Sequence, residues 1–541
     1  MSDQTRKSPY EVVIGLEVHA HLATRTKMFC ACPRSSRSNI EPNTLTCPVC
    51  LGMPGVLPVI NEEALRQALK VALALNCTVP SVTHFDRKNY YYPDLPKNYQ
   101  ISQNYNPLGR EGSMEVEFGQ AQVAWETGKQ QPDLVGPMVQ IVGWQTKRVG
   151  IDNVHLEEDA GKSVHPETAA GGTSGIDLNR AGTPLLEVVT KPDMHSIEEL
   201  EAFVQGLRQL LKYLRVSECR MEEGQLRFEV SVSLRPVGQK ELGTRVEVKN
   251  LNSVRSVLAA ARYEVSRQSD LLEAGEAVAR ETRLWDEPAG VTRTMRSKEL
   301  AHDYRYFPEP DLVPVVISPA LLAELDGEVQ EQLPERRRAR IRELLTRAGM
   351  PIRTGPFSPD SPIEAGDVAY LLSGLTEEPD TADYFESMVN AGAEAKQAAN
   401  WILGEVFREL NARGVTMADF PVPPEQTVKL LDLINRNIIT HGIARQVFAG
   451  MIEAGGGDPE AIVRQQGLEQ IRETSQLEQA VARVIADNPK PVADYRAGRT
   501  QAFAYLVGQV MRVTKGKANP QLLSQLLERA LGSAADCRGG S

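Results

Sequence analysis

Arg227-Phe-Glu-Val-Ser-Val-Ser-Leu234 alternates polar and apolar side chains with a period of two, the pattern of a β-strand with one wet and one buried face. Other β-type runs lie on its N-terminal side: Glu11-Val-Val-Ile-Gly15, Met114-Glu-Val-Glu-Phe118 and Val139-Gln-Ile-Val142. Two helices stand among them. Asn61 caps one that carries Leu65, Ala68, Leu69, Ala72 and Leu73 on one face. Ser196 and Glu199 form a capping box before Leu200, Phe203, Val204, Leu207, Leu210, Leu211 and Leu214. Strands and helices do not alternate strictly, so the fold class is α+β with a mixed sheet. After Phe307-Pro-Glu-Pro-Asp-Leu-Val-Pro314 the texture turns helical, and a second break falls at Phe420-Pro-Val-Pro-Pro424. The expected domains are 9–315, 316–423 and 424–533. The last helix starts at Asn519-Pro520 and stops at Gly532, followed by a frayed end.

A chain of 541 residues is too long for one core. No apolar run approaches the roughly 18–20 residues of a membrane span, and Met1–Glu11 has no apolar secretory segment, so the expected location is cytoplasmic. Seven cysteines, an odd number, do not suggest a disulfide scaffold. The net charge of −11 argues against a general polyanion binder. Yet residues 421–541 hold 14 Lys and Arg against 12 Asp and Glu. Their basic stretch, with Arg496, Arg499, Lys515 and Lys517, is either a phosphate-backbone contact or a solvated helix face.

Cys30-x-Cys32 and Cys47-x-x-Cys50 can close a 30–50 loop around one ion as a tetrahedral S₄ site, for which zinc is the usual occupant. All four positions are filled, so the role is structural. In Val13-Ile-Gly-Leu-Glu17-Val-His19 the acid and the imidazole project to one face of a strand; they suit a metal or acid/base work, or are an exposed strand face. Glu157-Glu158-Asp159 repel one another unless solvated or met by a cation, and Lys162 beyond Gly161 offers a phosphate contact. Beside Glu17 and His19, the better reading is a Mg²⁺ site of hard oxygen ligands. His84–Gln103 interleaves Arg87, Lys88, Tyr90, Tyr91, Tyr92, Lys97 and Tyr99 with amides. That suits a nucleotide or RNA end, or a core aromatic cluster. The P-loop, Gly-x-Gly-x-x-Gly and Gly-x-Ser-x-Gly motifs do not occur.

Taken in order, VIGLEVHAHL, FDRKNYYYPDLPKNYQISQ, HLEEDAGKS, DLNRAGTPLLEVV, MEEGQLRFEVSVSLRP, EVKNLNS, DYRYFPEPDL and YLVGQVMRVTKGKANP resemble the GatB family, the B subunits of aspartyl/glutamyl-tRNA amidotransferases. The resemblance runs from about Val12 to Leu531. It implies a cradle catalytic domain, a helical domain and a small helical YqeY-like tail. It also implies a carbon–nitrogen ligase with glutamine as amido-nitrogen donor. The side-chain carboxylate of misacylated Glu-tRNA(Gln) or Asp-tRNA(Asn) would be phosphorylated by ATP with Mg²⁺. Ammonia from a glutaminase A subunit would then displace the phosphate. The implied partners are the A and C subunits of a heterotrimer, the tRNA and the matching aminoacyl-tRNA synthetase.

Carried over by motif, Glu17, His19, Glu158 and Glu187 become the Mg²⁺-site and catalytic residues. Lys88 and Lys162 meet phosphates, with Tyr90 and Tyr92 beside the nucleotide. Cys30, Cys32, Cys47 and Cys50 match the zinc site of some members, and the tail's basic residues hold the tRNA. One departure stands out: where the family commonly has Asp-x-Asn, this chain has Glu229-Val-Ser231. Gln122–Val142 reads as an insertion forming a surface loop or hairpin. Two rivals remain. A tRNA-presenting scaffold does not explain clustered carboxylates, which repel RNA. A free-standing glutamine-dependent ligase would need glutaminase activity of its own.

Overall fold

Strand β1 (Tyr10–His21) turns Ile14, Leu16, Val18 and Ala20 into the core and Glu17, His19 and His21 to its other face. The computed structural model describes residues 9–34, 40–124, 138–164, 174–297, 304–348, 368–471 and 473–532. Seven more strands complete the sheet: β2 (Gly109–Ala124), β3 (Met138–Glu158), β4 (Pro184–Thr190), β5 (Leu226–Pro236), β6 (Val246–Leu251), β7 (Glu281–Asp286) and β8 (Val291–Ser297). Their order is β8-β7-β6-β5-β1-β4-β3-β2. Neighbours are antiparallel except β6 and β7, so the sheet is mixed, as the α+β reading requires.

Three helices, α1 (Glu62–Ala74), α2 (Ile197–Tyr213) and α3 (Val254–Glu273), share one apolar cluster with the sheet. Asn61 caps α1 by accepting the N–H of Ala64, and Ser196 caps α2 by accepting that of Glu199. The Glu199 carboxylate reaches back to the N–H of His195, one residue earlier than a regular capping box. Phe203, Val204 and Leu207 of α2 are completely buried, each worth about 1.5–3 kcal/mol in removed apolar surface. The strands β2 and β3 continue into the segment expected as an insertion, pairing as far as Ala124 with Met138; residues 125–137 lie outside the described residues.

Packing divides the chain later than its texture suggests. Leu325 and Val329 of α4 (Pro319–Gln332) belong to the same apolar cluster as α1, so the first compact unit continues past 315 to Arg337. In the second unit one core runs from Ile341 to Leu468, and crosses the proline break at 421–424 because Leu430, Leu431 and Phe448 pack with Leu371, Phe385 and Trp401. A separate small core runs from Leu477 to Leu531. It includes the helix Pro520–Leu531, capped by Asn519 and ended by Gly532 at φ 77°. Among the described residues no helix is long and apolar enough to cross a membrane.

Candidate active site

The register of four strands lays one polar row across the sheet. Arg227 on β5 faces His19 on β1, His19 faces Glu187 on β4, and Glu187 faces His155 on β3. Directly opposed residues share a face, so the four side chains emerge together, away from the helices. The imidazole Nε2 atoms of His19 and His155 both lie 3.3 Å from the Glu187 carboxylate. Two imidazoles hold that carboxyl well below the ordinary glutamate value, although burial opposes them. His155 is oriented in turn by Asn153, whose Oδ1 lies 2.8 Å from Nδ1. The His19 pKa rises to about 9: burial resists the charge, but Glu187 and then Glu157 overcome it. Glu17 lies two residues back on the same face. Burial, followed by Glu187, Glu229 and Glu247, pushes its carboxyl up.

The acidic run is divided among three partners. Glu157 falls on the face of the row, 4.0 Å from His19, and its Oε2 is buried without a hydrogen-bond partner. One donor atom from each of His19, Glu157 and Glu187 lies within 4.8 Å of the others, a group that fits a cation. Glu158, the acid expected there, is not brought to it. Adjacent strand residues point to opposite faces, and Glu158 pairs with Lys97 and accepts the N–H of Ile101 at 3.0 Å. That pair borders a cavity of about 200 Å³ lined also by Cys30, Cys50, Tyr99 and Asp311. Asp159 meets His21 at 2.7 Å, Arg227 at 3.2 Å and Arg180 at 3.3 Å. Against the opposing effect of burial, these hold its carboxyl well below the ordinary range.

Lys88 stands near this group. Burial works against its ammonium, yet Glu157 and Glu187 raise its pKa above the usual lysine value. Its Nζ lies 5.2 Å from the centre of the Tyr304 ring. Tyr90 packs edge-on against Tyr304 and donates its hydroxyl to Gln100, whereas Tyr92 is exposed. Arg87 is not a free phosphate donor: it forms a two-pronged pair with Glu309, both bonds 2.7 Å. Lys162 is exposed in a small two-stranded element, opposite Asp177. It is not part of the carboxylate group.

The four cysteines converge as their spacing demands. One sulfur from each of Cys30, Cys32, Cys47 and Cys50 lies within 4.8 Å of the rest; those of Cys47 and Cys50 are 3.9 Å apart. A zinc ion about 2.3 Å from each sulfur would set them roughly 3.8 Å apart, so the group fits it with little movement. The Cys50 thiol is held below the ordinary cysteine value, because Cys30 donates to its sulfur and the N–H of Cys47 does so at 3.2 Å. Cys77 and Cys219 are buried apart from this group.

Residues 12–323 match the model of the GatB/GatE catalytic domain, and residues 383–531 match that of the GatB domain. The chain is 45% identical over 523 residues to the B subunit of the aspartyl/glutamyl-tRNA(Asn/Gln) amidotransferase of Carboxydothermus hydrogenoformans, covering 96% of this chain and 99% of the relative. It is 46% identical over 522 residues to the protein of the same name in Moorella thermoacetica, covering 96% and 100%. The chain belongs to the GatB family. It is therefore an amidotransferase subunit, and amidotransferases of this kind are ligases.

Within this GatB fold, the tail residues expected to meet tRNA differ in what they already hold. Lys517 donates to the carbonyl of Gly467 at 2.6 Å and Arg496 to that of Leu531 at 3.4 Å. Arg499 makes an exposed pair with Asp494, and Lys515 is exposed. At the position where the GatB resemblance breaks, Glu229 is bound by Lys249 at 2.5 Å, and Ser231 faces Gly15 and Glu247. Sequence reasoning missed His155 and Arg227 as members of the row, and named Glu157 only within the acidic run from which the family resemblance picked Glu158. Period-two spacing back from Glu157 would have found His155; Arg227 needed the register of β1 on β5.

Proposed function

We propose that this chain activates and amidates a tRNA-borne carboxylate: Glu-tRNA(Gln), Asp-tRNA(Asn) or both become Gln-tRNA(Gln) or Asn-tRNA(Asn). The carrying observation is the His19–Glu157–Glu187 group, with its unpartnered buried Glu157 oxygen and Lys88 close by. His19, Glu157 and Glu187 would hold a divalent cation such as Mg²⁺, which supplies positive charge where phosphate oxygens gather. Glu17 stands next to them on β1. This revises the ligand set from Glu158 to Glu157.

Lys88 binds phosphate oxygens of ATP, since its ammonium is kept charged and half-buried beside the group. Arg227, the cationic end of the row, faces the same side of the sheet. The side-chain carboxylate attacks the γ-phosphorus and releases ADP; ammonia then attacks the acyl carbon and releases phosphate. Positioning and charge complementarity carry most of such a reaction. A glutaminase A subunit supplies the ammonia, a C subunit completes the heterotrimer, and the synthetase delivers the misacylated tRNA. The four cysteines hold a structural zinc away from the chemistry. The tail, with Arg496, Arg499, Lys515 and Lys517, holds the tRNA body.

The test is phosphate release from ATP, and amide formation, by the reconstituted complex with misacylated tRNA. Glu187→Gln should lower both by roughly 10²–10³-fold while the A subunit still hydrolyses glutamine. Full activity in that variant would refute the reading. Glutaminase activity from this chain alone would favour the free-standing ligase instead.

A further inference from the structure

Lys27 follows β1 into the cysteine loop and is completely buried. Buried ammonium groups are rare and normally sit on a carboxylate, because an unpaired charge away from water is costly. Among the described residues, no carboxylate forms an ion pair with Lys27. Its Nζ donates instead to the carbonyls of Leu45 at 2.8 Å and Leu178 at 3.4 Å, and to the sulfur of Cys50 at 3.6 Å. The surroundings are tightly enclosed. A side chain at Gly182 would place its Cβ 3.4 Å from that of Cys50 and 3.6 Å from the Lys27 Cδ.

Carbonyl dipoles ease the desolvation of an ammonium but do not neutralise it. The remaining candidate anion within reach is the cysteine group. Four thiolates around a divalent ion carry excess negative charge, and N–H···S bonds together with a nearby cation reduce it. We propose that Lys27 is the buried counter-ion of the metal-loaded cysteine group. It balances part of the thiolate charge through Cys50 and ties the metal loop to Leu178, in the turn that leads into β4 and Glu187. Two further bonds follow the same path: the N–H of Leu45 donates to Asn179 at 2.8 Å, and the N–H of Met28 donates to Gly182 at 2.7 Å. Lys27 is thus a positioning residue, and the inference rests on the zinc reading but not on the catalytic one.

The experiment uses the full chain, with zinc measured directly and its affinity read by competition with a chelator. Lys27→Met should weaken zinc binding by roughly 10–100-fold, as loss of an outer-sphere partner does. A cycle with the four-serine variant of Cys30, Cys32, Cys47 and Cys50 supplies the second readout. Lys27→Met should lower the unfolding midpoint of the zinc-loaded chain. In the serine background, where the ammonium has no anion, it should be neutral or stabilising. Unchanged zinc affinity would overturn the proposal, as would an equal loss of stability in both backgrounds, which would leave the carbonyl bonds as the whole role. A wild-type chain that takes up no zinc would reject the zinc reading and the counter-ion with it. Zinc uptake with unaltered affinity in Lys27→Met would reject the counter-ion alone.

Discussion

Two neighbouring acids in one short run have opposite fates, and a single substitution at each distinguishes them. Glu157 and Glu158 are both buried. Glu157 has an unpartnered oxygen on the face of His19 and Glu187, whereas Glu158 already holds Lys97. Glu157→Gln should therefore weaken Mn²⁺ binding, followed by electron spin resonance, by roughly a hundredfold, since a ligand is removed from a three-donor group. Glu158→Gln should leave that affinity within about twofold, because its carboxylate turns to the other side of the strand. If both variants bind Mn²⁺ alike, the division of the acidic run between two faces is not what governs the site. The signal for this division was present in the sequence. Counting alternate residues back from Glu157 reaches His155, and back from Glu158 reaches the buried Leu156. Reading the run as one cluster of like charges obscured that alternation.

The joint between helix and sheet has a buried acid of its own. Glu264 of α3 is completely buried, accepts from Arg267 at 2.8 Å and Thr292 of β8 at 2.5 Å, and pairs with Arg283 of β7 at 3.2 Å. Burial alone would raise its pKa, but the Arg267 bond, with Thr292 and Gln268, brings it below the ordinary value of 4.5. A carboxyl with a depressed folded pKa adds stability above the unfolded value and loses it as the pH falls through the folded one. Urea midpoints should therefore fall more steeply for the wild type than for Glu264→Gln as the pH drops below about 4.5. At pH 7 the variant should be less stable by about 1–3 kcal/mol, because Arg267 and Arg283 lose one of two anions and keep only Glu281. Parallel acid limbs would show that Glu264 does not titrate with folding. At this scale the individual strands and helix caps were legible: Asn61, Ser196 and the alternation in β5 are local signals. The order β5-β1-β4-β3 was not. No local pattern states that β4, more than a hundred residues after β1, is the strand that brings Glu187 beside His19.

Across the whole chain, sequence texture and packing divide the C-terminal half differently. Proline breaks mark turns, whereas apolar packing defines cores, and the core from Ile341 to Leu468 runs through the break near 421. The small core after Leu477 then carries the basic stretch. This separation makes the charge reading testable without disturbing the sheet. Lys517 and Arg496 hold carbonyls within the fold, so replacing them mixes stability with binding. Arg499 and Lys515 are exposed, and the Arg499–Asp494 pair is of the kind worth little in water. Changing both to glutamate should leave the unfolding midpoint almost unaltered. It should raise the KM for misacylated tRNA by roughly tenfold and reduce the salt dependence of binding by about one unit of log–log slope for each phosphate interaction removed. The kcat at saturating tRNA should hold, because neither residue belongs to the His19–Glu157–Glu187 group. If KM and salt slope stayed as in the wild type, the tail's positive balance would be a solvated helix face and tRNA would be held elsewhere. A fall in kcat alone would instead show that these residues affect the reacting end of the tRNA.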